Sequence, residues 1–254
     1  MLTPGFASQH DGQKRVAVFF AIRWPILALG LLLVAAACAG GSETPPSGGS
    51  SPVTGNLFPN PGLEEGRDPW FSLKPPDFLL TDDLAQSGSH SAHLPLQADQ
   101  SEVDAKIIYL VQEVSPKELP EVISGYYRVE SWNRGTAKQY LQFVVIVRGA
   151  DNLPGGYSNH QIRYLLAGID SPPFAIGNAH FVFLSRDDAP QGQWVRFERN
   201  LRDDFARLWG AVPEGFNNIR VLFEVRYDDK KVGEGPLSAD VYYDDLYLGP
   251  APSP

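Results

Sequence analysis

Pairs of adjacent acidic residues are the first groups in this sequence that could do chemistry. The pairs begin at Asp82, Asp187, Asp203, Asp228 and Asp244. Acid–base hydrolysis of a glycoside needs two carboxyl groups held a fixed distance apart across a cleft. No motif singles out two of these residues, and the pairs fall at the ends of loops or predicted elements, where aspartate is common. The pairs alone therefore predict no active site.

Other catalytic patterns are absent from the sequence. His90 and His93 are three positions apart on a predicted strand, so their side chains point to opposite faces and cannot share a metal ion. The chain has no G-x-S-x-G nucleophile motif, and Gly155-Gly156 lacks the lysine and the following helix of a phosphate-binding loop. The sequence therefore predicts a binding protein rather than an enzyme.

The only cysteine, Cys38, ends the stretch LLLVAAAC. Basic residues come first, followed by the apolar run Trp24–Ala37, which has the length of a signal-peptide core. This order resembles the lipobox of bacterial lipoproteins, a family in which the preceding peptide is removed and the cysteine is acylated. The resemblance implies lipidation at Cys38. A protein anchored in this way lies in the cell envelope, outside the cytoplasm.

The resemblance also divides the chain. We expect a signal peptide over 1–37, a lipidated cysteine with a flexible Gly/Ser/Pro-rich linker over 38–55, a folded domain over 56–249 and a tail over 250–254. Ala39 follows the cysteine, which points to the outer membrane if the host has one and otherwise to the outer face of the plasma membrane. Two alternatives stay open: an uncleaved membrane anchor, which would bury the charge of Arg23, and an ordinary cleaved signal peptide.

The net charge of −9 limits the partners of the chain. Nucleic acid is excluded because binding to phosphates needs a basic face. An acidic surface also repels anionic polysaccharides and lipid headgroups, so a neutral ligand or a cation fits better. With Cys38 used as the anchor, no disulfide can stabilise the domain.

The sequence from Asn56 onward predicts an all-β, antiparallel sandwich. Short runs of β-forming residues alternate with Gly, Pro, Asn and Asp clusters, and Ile219, Val221, Phe223, Val225 and Tyr227 form one apolar face of a strand. The candidate strands are Pro69–Leu73, Ser91–Leu96, Lys106–Val114, Val122–Trp132, Lys138–Arg148, Gln161–Ala167, His180–Ser185, Trp194–Arg199, Asn218–Tyr227 and Ala239–Leu248. One short helix is predicted over Asn200–Gly210.

Three segments resemble the jelly-roll carbohydrate-binding modules with the galactose-binding-like fold. They are the opening run Asn56–Gly66 followed by Trp70, the segment Ser87–Leu94, and the closing strand Val241–Leu248 with its Asp-Asp pair. Trp194 with Phe197 is similar to a further strand of these modules. The resemblance covers the whole folded region and implies that the first and last segments lie side by side.

A structural calcium ion often occupies that junction in the family. Position by position, the resemblance assigns the metal to Glu64 and Asp244, with Asp245 as a neighbouring ligand. Calcium takes six to eight oxygen ligands, so backbone carbonyls and water would complete the site. The alternative is that Glu64 caps a turn and the two aspartates are solvated residues at a strand end.

Sugar recognition in these modules depends on aromatic side chains that stack on pyranose rings. Trp132, Tyr157, His160 and Tyr164 lie outside the clearest core pattern and are the candidate ligand-binding residues. Their alternative role is ordinary packing of half-buried aromatic rings. Trp209 is assigned to the core.

The leading hypothesis is therefore a lipid-anchored binding protein of the cell envelope whose sandwich binds a neutral polysaccharide or other glycan. A first alternative is a structural or adhesion module that binds another envelope protein. A second is a jelly-roll glycoside hydrolase or lyase. The sequence does not identify the ligand or the oligomeric state.

Overall fold

A computed structural model describes residues 55–251, which form eleven β-strands and one α-helix. The predicted signal peptide, Cys38, all but the last residue of the linker and the final residues of the tail lie outside the described residues. The elements are β1 Leu79–Thr81, β2 Ser91–Ala98, β3 Asp104–Val114, β4 Val122–Asn133, β5 Gln139–Arg148, β6 Asn159–Ala167, β7 Phe174–Ile176, β8 Ala179–Phe183, β9 Trp194–Asn200, α1 Leu201–Trp209, β10 Asn218–Lys230 and β11 Leu237–Gly249.

The strands form two sheets. One has five strands in the order β1-β2-β11-β4-β9, and the other has six in the order β3-β10-β5-β6-β8-β7. Neighbouring strands are antiparallel except β6 and β8, which are parallel. The predicted antiparallel β-sandwich with one short helix is confirmed.

The alternation of apolar residues places the core between the two sheets. Phe223 on β10 is fully buried, and its ring lies 6.2 Å from that of Phe143 on β5 and 5.3 Å from that of Tyr243 on β11. Phe143 also stacks on Phe197 of β9 at 4.8 Å. Burial of each large apolar side chain contributes about 1.5–3 kcal/mol, so this aromatic contact between sheets is a main source of stability.

The opening segment lies beside the closing strand, as predicted. Leu57 N donates to Leu248 O at 2.7 Å, and the Asn56 side chain donates to Leu246 O at 2.9 Å and accepts from Leu248 N at 3.0 Å. The two ends of the folded region are therefore joined by hydrogen bonds.

The helix α1 begins and ends where the sequence predicts. The Asn200 side chain accepts from Asp203 N at 3.0 Å, and Gly210 ends the helix in the left-handed conformation at φ 83°. Leu201 and Phe205 face the core. No helix within 55–251 is long and apolar enough to cross a membrane.

The observed strands differ from the predicted ones at three places: one predicted strand is absent, and two short strands were not predicted. The segment Pro69–Leu73 is not a strand, because Trp70 N bonds to Arg67 O in a turn and only Phe71 pairs with Val111 of β3. The strands β1 and β7 have three residues each, too few to show an alternation in sequence. β5 is central, between β10 and β6, which agrees with its two apolar faces.

Candidate functional site

A cleft of about 640 Å³ lies on the outer face of the six-stranded sheet. This volume is in the range of pockets that bind small ligands. Its apolar and aromatic lining residues are Tyr140, Leu165, Ile169, Phe174, Ile176, Phe181 and Phe183. Its charged lining residues are Asp104, Lys138, Arg163, Arg226, Asp228 and Asp229. The cleft thus combines apolar surface with many hydrogen-bonding groups.

The hairpin of β7 and β8 forms the aromatic side of the cleft. Phe174 pairs with Phe181 across the two strands, and their rings stack with centroids 4.4 Å apart and planes 16° from parallel. Phe174 is 40% exposed and Ile176 is 65% exposed. Alternation puts Phe181 and Phe183 on the same face of β8, so the hairpin presents an apolar surface to a ligand.

An ion-pair network on β5 and β10 forms the polar floor. Arg226 donates to Glu224 Oε2 at 3.1 Å and to Asp228 Oδ1 at 2.5 Å, and the Tyr140 hydroxyl donates to Asp228 Oδ2 at 2.6 Å. Burial raises the pKa of Tyr140. Burial opposes the charge of Arg226, but Glu224 and then Tyr140 and Asp228 outweigh it and raise the pKa of Arg226. The floor therefore carries fixed charges that are already paired.

Three buried polar atoms beside this floor have no hydrogen-bond partner within residues 55–251. They are Gln142 Oε1, Arg163 Nε and Arg226 Nε. Gln142 is completely buried and uses its amide nitrogen to donate to Glu224 Oε2 at 2.6 Å. A buried polar group without a partner costs about 1–3 kcal/mol. On this face the protein therefore has one unused acceptor, Gln142 Oε1, and two unused donors, the Nε–H groups of Arg163 and Arg226.

Two of the predicted ligand-binding residues are buried in the fold. Tyr164 is 0% exposed, stacks on Phe143 at 4.6 Å and donates its hydroxyl to Asp204 Oδ2 at 3.0 Å. His160 is 1% exposed and bonds through Nε2 to Pro154 O at 2.8 Å. Direct contact with a surface ligand is incompatible with this burial, so both positions correct the sequence-based assignment.

The other two predicted residues lie at the surface or partly so, but away from the cleft. Tyr157 is 39% exposed, and its ring packs edge-on against His160 at 5.7 Å and Trp209 at 6.3 Å. Trp132 is partly buried against the core. The structure therefore brings Tyr157 and His160 together, and none of the four residues lines the cleft.

Asp244 and Asp245, two of the three predicted metal ligands, place their carboxylates near Gly62 at the junction of the opening and closing segments, whereas only Cγ of Glu64 lies there. A Cβ atom at Gly62 would stand 3.5 Å from Asp244 Oδ1, 3.8 Å from Asp245 Oδ1 and 3.8 Å from Glu64 Cγ. Consecutive residues of a strand normally face opposite ways, but β11 has an irregularity after Asp244 and Asp245 has φ 50°. Both aspartates can therefore reach the same loop, where Asp244 Oδ2 accepts from Gln86 N at 2.7 Å and Asp245 Oδ1 accepts from Ser87 Oγ at 2.7 Å.

The two aspartates fit a cation better than Glu64 does. Burial and then the neighbouring charge of Asp245 raise the pKa of Asp244 to about 7, which a bound cation would reverse. Glu64 Oε1 instead accepts from Ser89 N at 2.9 Å and His90 N at 2.8 Å. Burial opposes the charge on Glu64, but these bonds outweigh it and lower the pKa of Glu64. Residues 55–251 contain no group of three or more His, Cys, Asp or Glu side chains arranged to hold a metal.

No protein-family model and no curated protein matches this chain. Among solved structures, TmCBM61 in complex with β-1,4-galactotriose is similar over 76% of this chain and 97% of that chain, with 14% identity and a TM-score of 0.41. A xylan-binding domain from CBM 22 is similar over 80% of this chain and 99% of its own, with 12% identity and a TM-score of 0.42. The C-terminal family 22 carbohydrate-binding module of Clostridium thermocellum Xyn10B is similar over 77% of this chain and 94% of its own, with 12% identity and a TM-score of 0.40.

Proposed function

We propose that this domain binds a glycan in the cleft on its six-stranded sheet. The observation that carries the proposal is the partly exposed Phe174–Phe181 stack beside the polar floor of Tyr140, Arg226 and Asp228. A sugar ring has an apolar C–H face and a rim of hydroxyl groups, so it needs both kinds of surface at once. The cleft offers them side by side.

The unpartnered atoms beside the floor also favour hydroxyl groups. Gln142 Oε1 needs a donor, whereas Arg163 Nε and Arg226 Nε need acceptors. A hydroxyl group or a water molecule supplies both. Because these three atoms are shielded from the surface, a ligand would reach them through a bridging water or a small shift of the cleft side chains.

Affinity electrophoresis of the purified full-length protein tests the proposal. The gels contain soluble β-glucan, xylan, mannan or galactan, and retardation by at least one of them is expected. Glycan binding would be contradicted by a protein that is retarded neither by these polysaccharides nor by polysaccharides that carry uronic acids. That result would favour the alternative that the domain binds an envelope protein, for which β7 offers an exposed sheet edge.

A hydrolase in the same cleft is less well supported. Glu224 and Asp228 both lie on β10, and both bond to Arg226 between them. Glycoside hydrolysis needs carboxyl groups on opposite sides of the scissile bond. Release of reducing sugar from a bound polysaccharide would revive this alternative.

We also propose that Cys38 carries the lipid anchor and that the domain works in the cell envelope. The support is the order of basic residues, apolar run, small residues and cysteine in the sequence. Intact-mass measurement of the protein purified from membranes should give a chain that begins at Cys38 and carries acyl groups, and Cys38→Ser should retain its signal peptide.

We propose further that a calcium ion binds at Asp244 and Asp245. The support is the convergence of their Oδ1 atoms near Gly62 and the burial of Asp244. Backbone carbonyls and water would supply the remaining oxygens. Melting with calcium and with chelator tests this, because a ligand of the folded state alone raises its stability.

A further inference from the structure

Arg163 differs from the other basic residues of the cleft in its partners. Lys138 forms an ion pair with Asp229, and Arg226 forms ion pairs with Glu224 and Asp228. Within residues 55–251, Arg163 makes no ion pair with a carboxylate. Lys138 and Asp229 cancel each other, and Arg226 is outweighed by its two carboxylate partners, so within residues 55–251 Arg163 is the one cleft cation whose charge no carboxylate pairs with.

The guanidinium of Arg163 is held in place but mostly unbonded. Its Nη2 donates to Gln161 Oε1 at 2.9 Å, and its carbon lies 5.5 Å from the centre of the Phe181 ring. Nε is buried without a partner. Arginine has five N–H donors; one on Nη2 is used and the one on Nε is shielded, so three donors on Nη1 and Nη2 remain for an acceptor such as a carboxylate.

Arg163 stands in one row with the aromatic pair. Across adjacent strands, Arg163 of β6 pairs with Phe181 of β8, which pairs with Phe174 of β7. Neighbouring strands are about 5 Å apart. A sugar ring that packs on the Phe174–Phe181 surface therefore has Arg163 within reach of a substituent on its rim.

The other end of the cleft has the opposite character. Asp104, which also makes no ion pair within the described part of the chain, lies on β3, and β10 and β5 separate β3 from β6. The net charge of −9 further opposes a ligand that is anionic along its whole length. The charges thus suit a mainly neutral chain with an isolated acidic group at the β6–β8 end.

We propose that the cleft selects a glycan whose neutral chain carries a uronic acid, and that Arg163 binds the uronate carboxylate. This inference rests on the glycan-binding function proposed above. It also revises the sequence-based expectation of a wholly neutral ligand. A planar guanidinium next to an aromatic surface matches a carboxylate attached to a sugar ring.

The test compares the same polysaccharide with and without its carboxylates. Glucuronoxylan, gum arabic and xanthan are each used beside their carboxyl-reduced forms, in which every carboxylate has become a primary alcohol. The full-length protein should bind at least one acidic form about tenfold more tightly than its reduced form, as expected for one charge-assisted hydrogen-bonded contact.

Variants assign this preference to Arg163. Arg163→Gln and Arg163→Met should remove the difference between the two forms while leaving the melting temperature close to that of the wild type. Arg220→Gln is the matched control, because Arg220 lies on the same face of the sheet but outside the cleft and is paired with Glu113. It should keep the preference.

The outcomes distinguish a failure of uronate recognition from a failure of glycan binding. Equal binding of acidic and reduced forms, or a preference that survives Arg163→Gln, overturns uronate recognition and leaves glycan binding intact. A wild-type protein that binds none of these polysaccharides and none of the neutral panel overturns glycan binding itself.

Discussion

Phe174 and Phe181 stack with their ring centroids 4.4 Å apart, and Phe174 keeps 40% of its surface exposed. An exposed phenylalanine on this three-residue strand leaves apolar area in water that a bound ligand would cover. The stack places this ring at the rim of the cleft, in the same cross-strand row as Arg163.

Phe174→Ala should weaken glycan binding about tenfold, because loss of one aromatic contact removes about 0.5–1.5 kcal/mol beyond the lost apolar area. Stability should change little, since the ring lies at the surface. Titration calorimetry with the best-bound polysaccharide measures the affinity. Leu79→Ala is the control, because Leu79 is 50% exposed on the other sheet and should leave binding unchanged. Equal affinities of Phe174→Ala and wild type would remove Phe174 from the site.

The cleft cannot be predicted from the sequence, although alternation indicates which side chains lie on the outer face of the sheet. Alternation shows that Arg226 and Glu224 share the face of β10 opposite Phe223. It does not show that β6 lies two strands from β10, or that β7 and β8 extend the same sheet. Arg163, Phe174 and Arg226 become one site only through this strand order, whereas a loop aromatic such as Tyr157 can be selected as a candidate from the sequence alone.

Tyr164→Phe tests the corrected role of a residue that the sequence assigned to ligand binding. The variant loses the buried hydrogen bond to Asp204, so the free energy of unfolding should fall by about 1 kcal/mol in urea denaturation. Glycan affinity should stay at the wild-type value. Tyr127→Phe is the matched control, because Tyr127 is buried but its hydroxyl makes no hydrogen bond within 55–251. A loss of affinity in Tyr164→Phe without a loss of stability would restore the original assignment.

The helix shows which local features a sequence does encode. The Asn200 cap, the acidic first turn and the Gly210 stop all act within a few residues, and the observed bounds Leu201–Trp209 agree with them. The strands β1 and β7 depend on pairing with β2 and β8 instead. Strands that form only by pairing with another strand cannot be recognised from their own three residues.

Asn200→Ala should lower the free energy of unfolding by about 1 kcal/mol, because the amide of Asp203 loses its side-chain acceptor. Asn200→Gly should cost only a few tenths of a kcal/mol, since glycine is tolerated at this position. Thermal melting of the three proteins under identical conditions measures the difference. An Asn200→Ala variant as stable as the wild type would mean that the cap bond contributes nothing.

Asp244 should make the protein less stable as the pH rises from about 4 to about 7 in the presence of chelator. Its folded-state pKa of about 7 lies above the value of 3.8 for an unburied aspartate, so the folded state holds this proton more tightly than the unfolded state does. The stabilisation is complete below the unfolded pKa and is lost as the pH rises through the folded pKa, with an upper limit on the order of 1.4 kcal/mol per pH unit. Melting temperatures measured across this interval give the slope.

Asp244→Asn should flatten that slope. The slopes are compared rather than the melting temperatures themselves, because the new amide nitrogen cannot accept the bonds from Gln86 N and Ser87 N. A slope that is unchanged in Asp244→Asn would assign the pH dependence to other groups.

Calcium should offset this loss of stability at neutral pH, because a cation would compensate the charge that Asp244 gains beside Asp245 when it loses its proton. At pH 7.5 we expect calcium to raise the melting temperature of the wild type and of Glu64→Gln, since the Glu64 carboxylate is bonded to Ser89 N and His90 N instead. Asp244→Asn should lose the response. A wild type that melts at the same temperature with calcium and with chelator would exclude the cation and leave the hydrogen bonds from Gln86 N and Ser87 N to Asp244 as what holds that loop against β11.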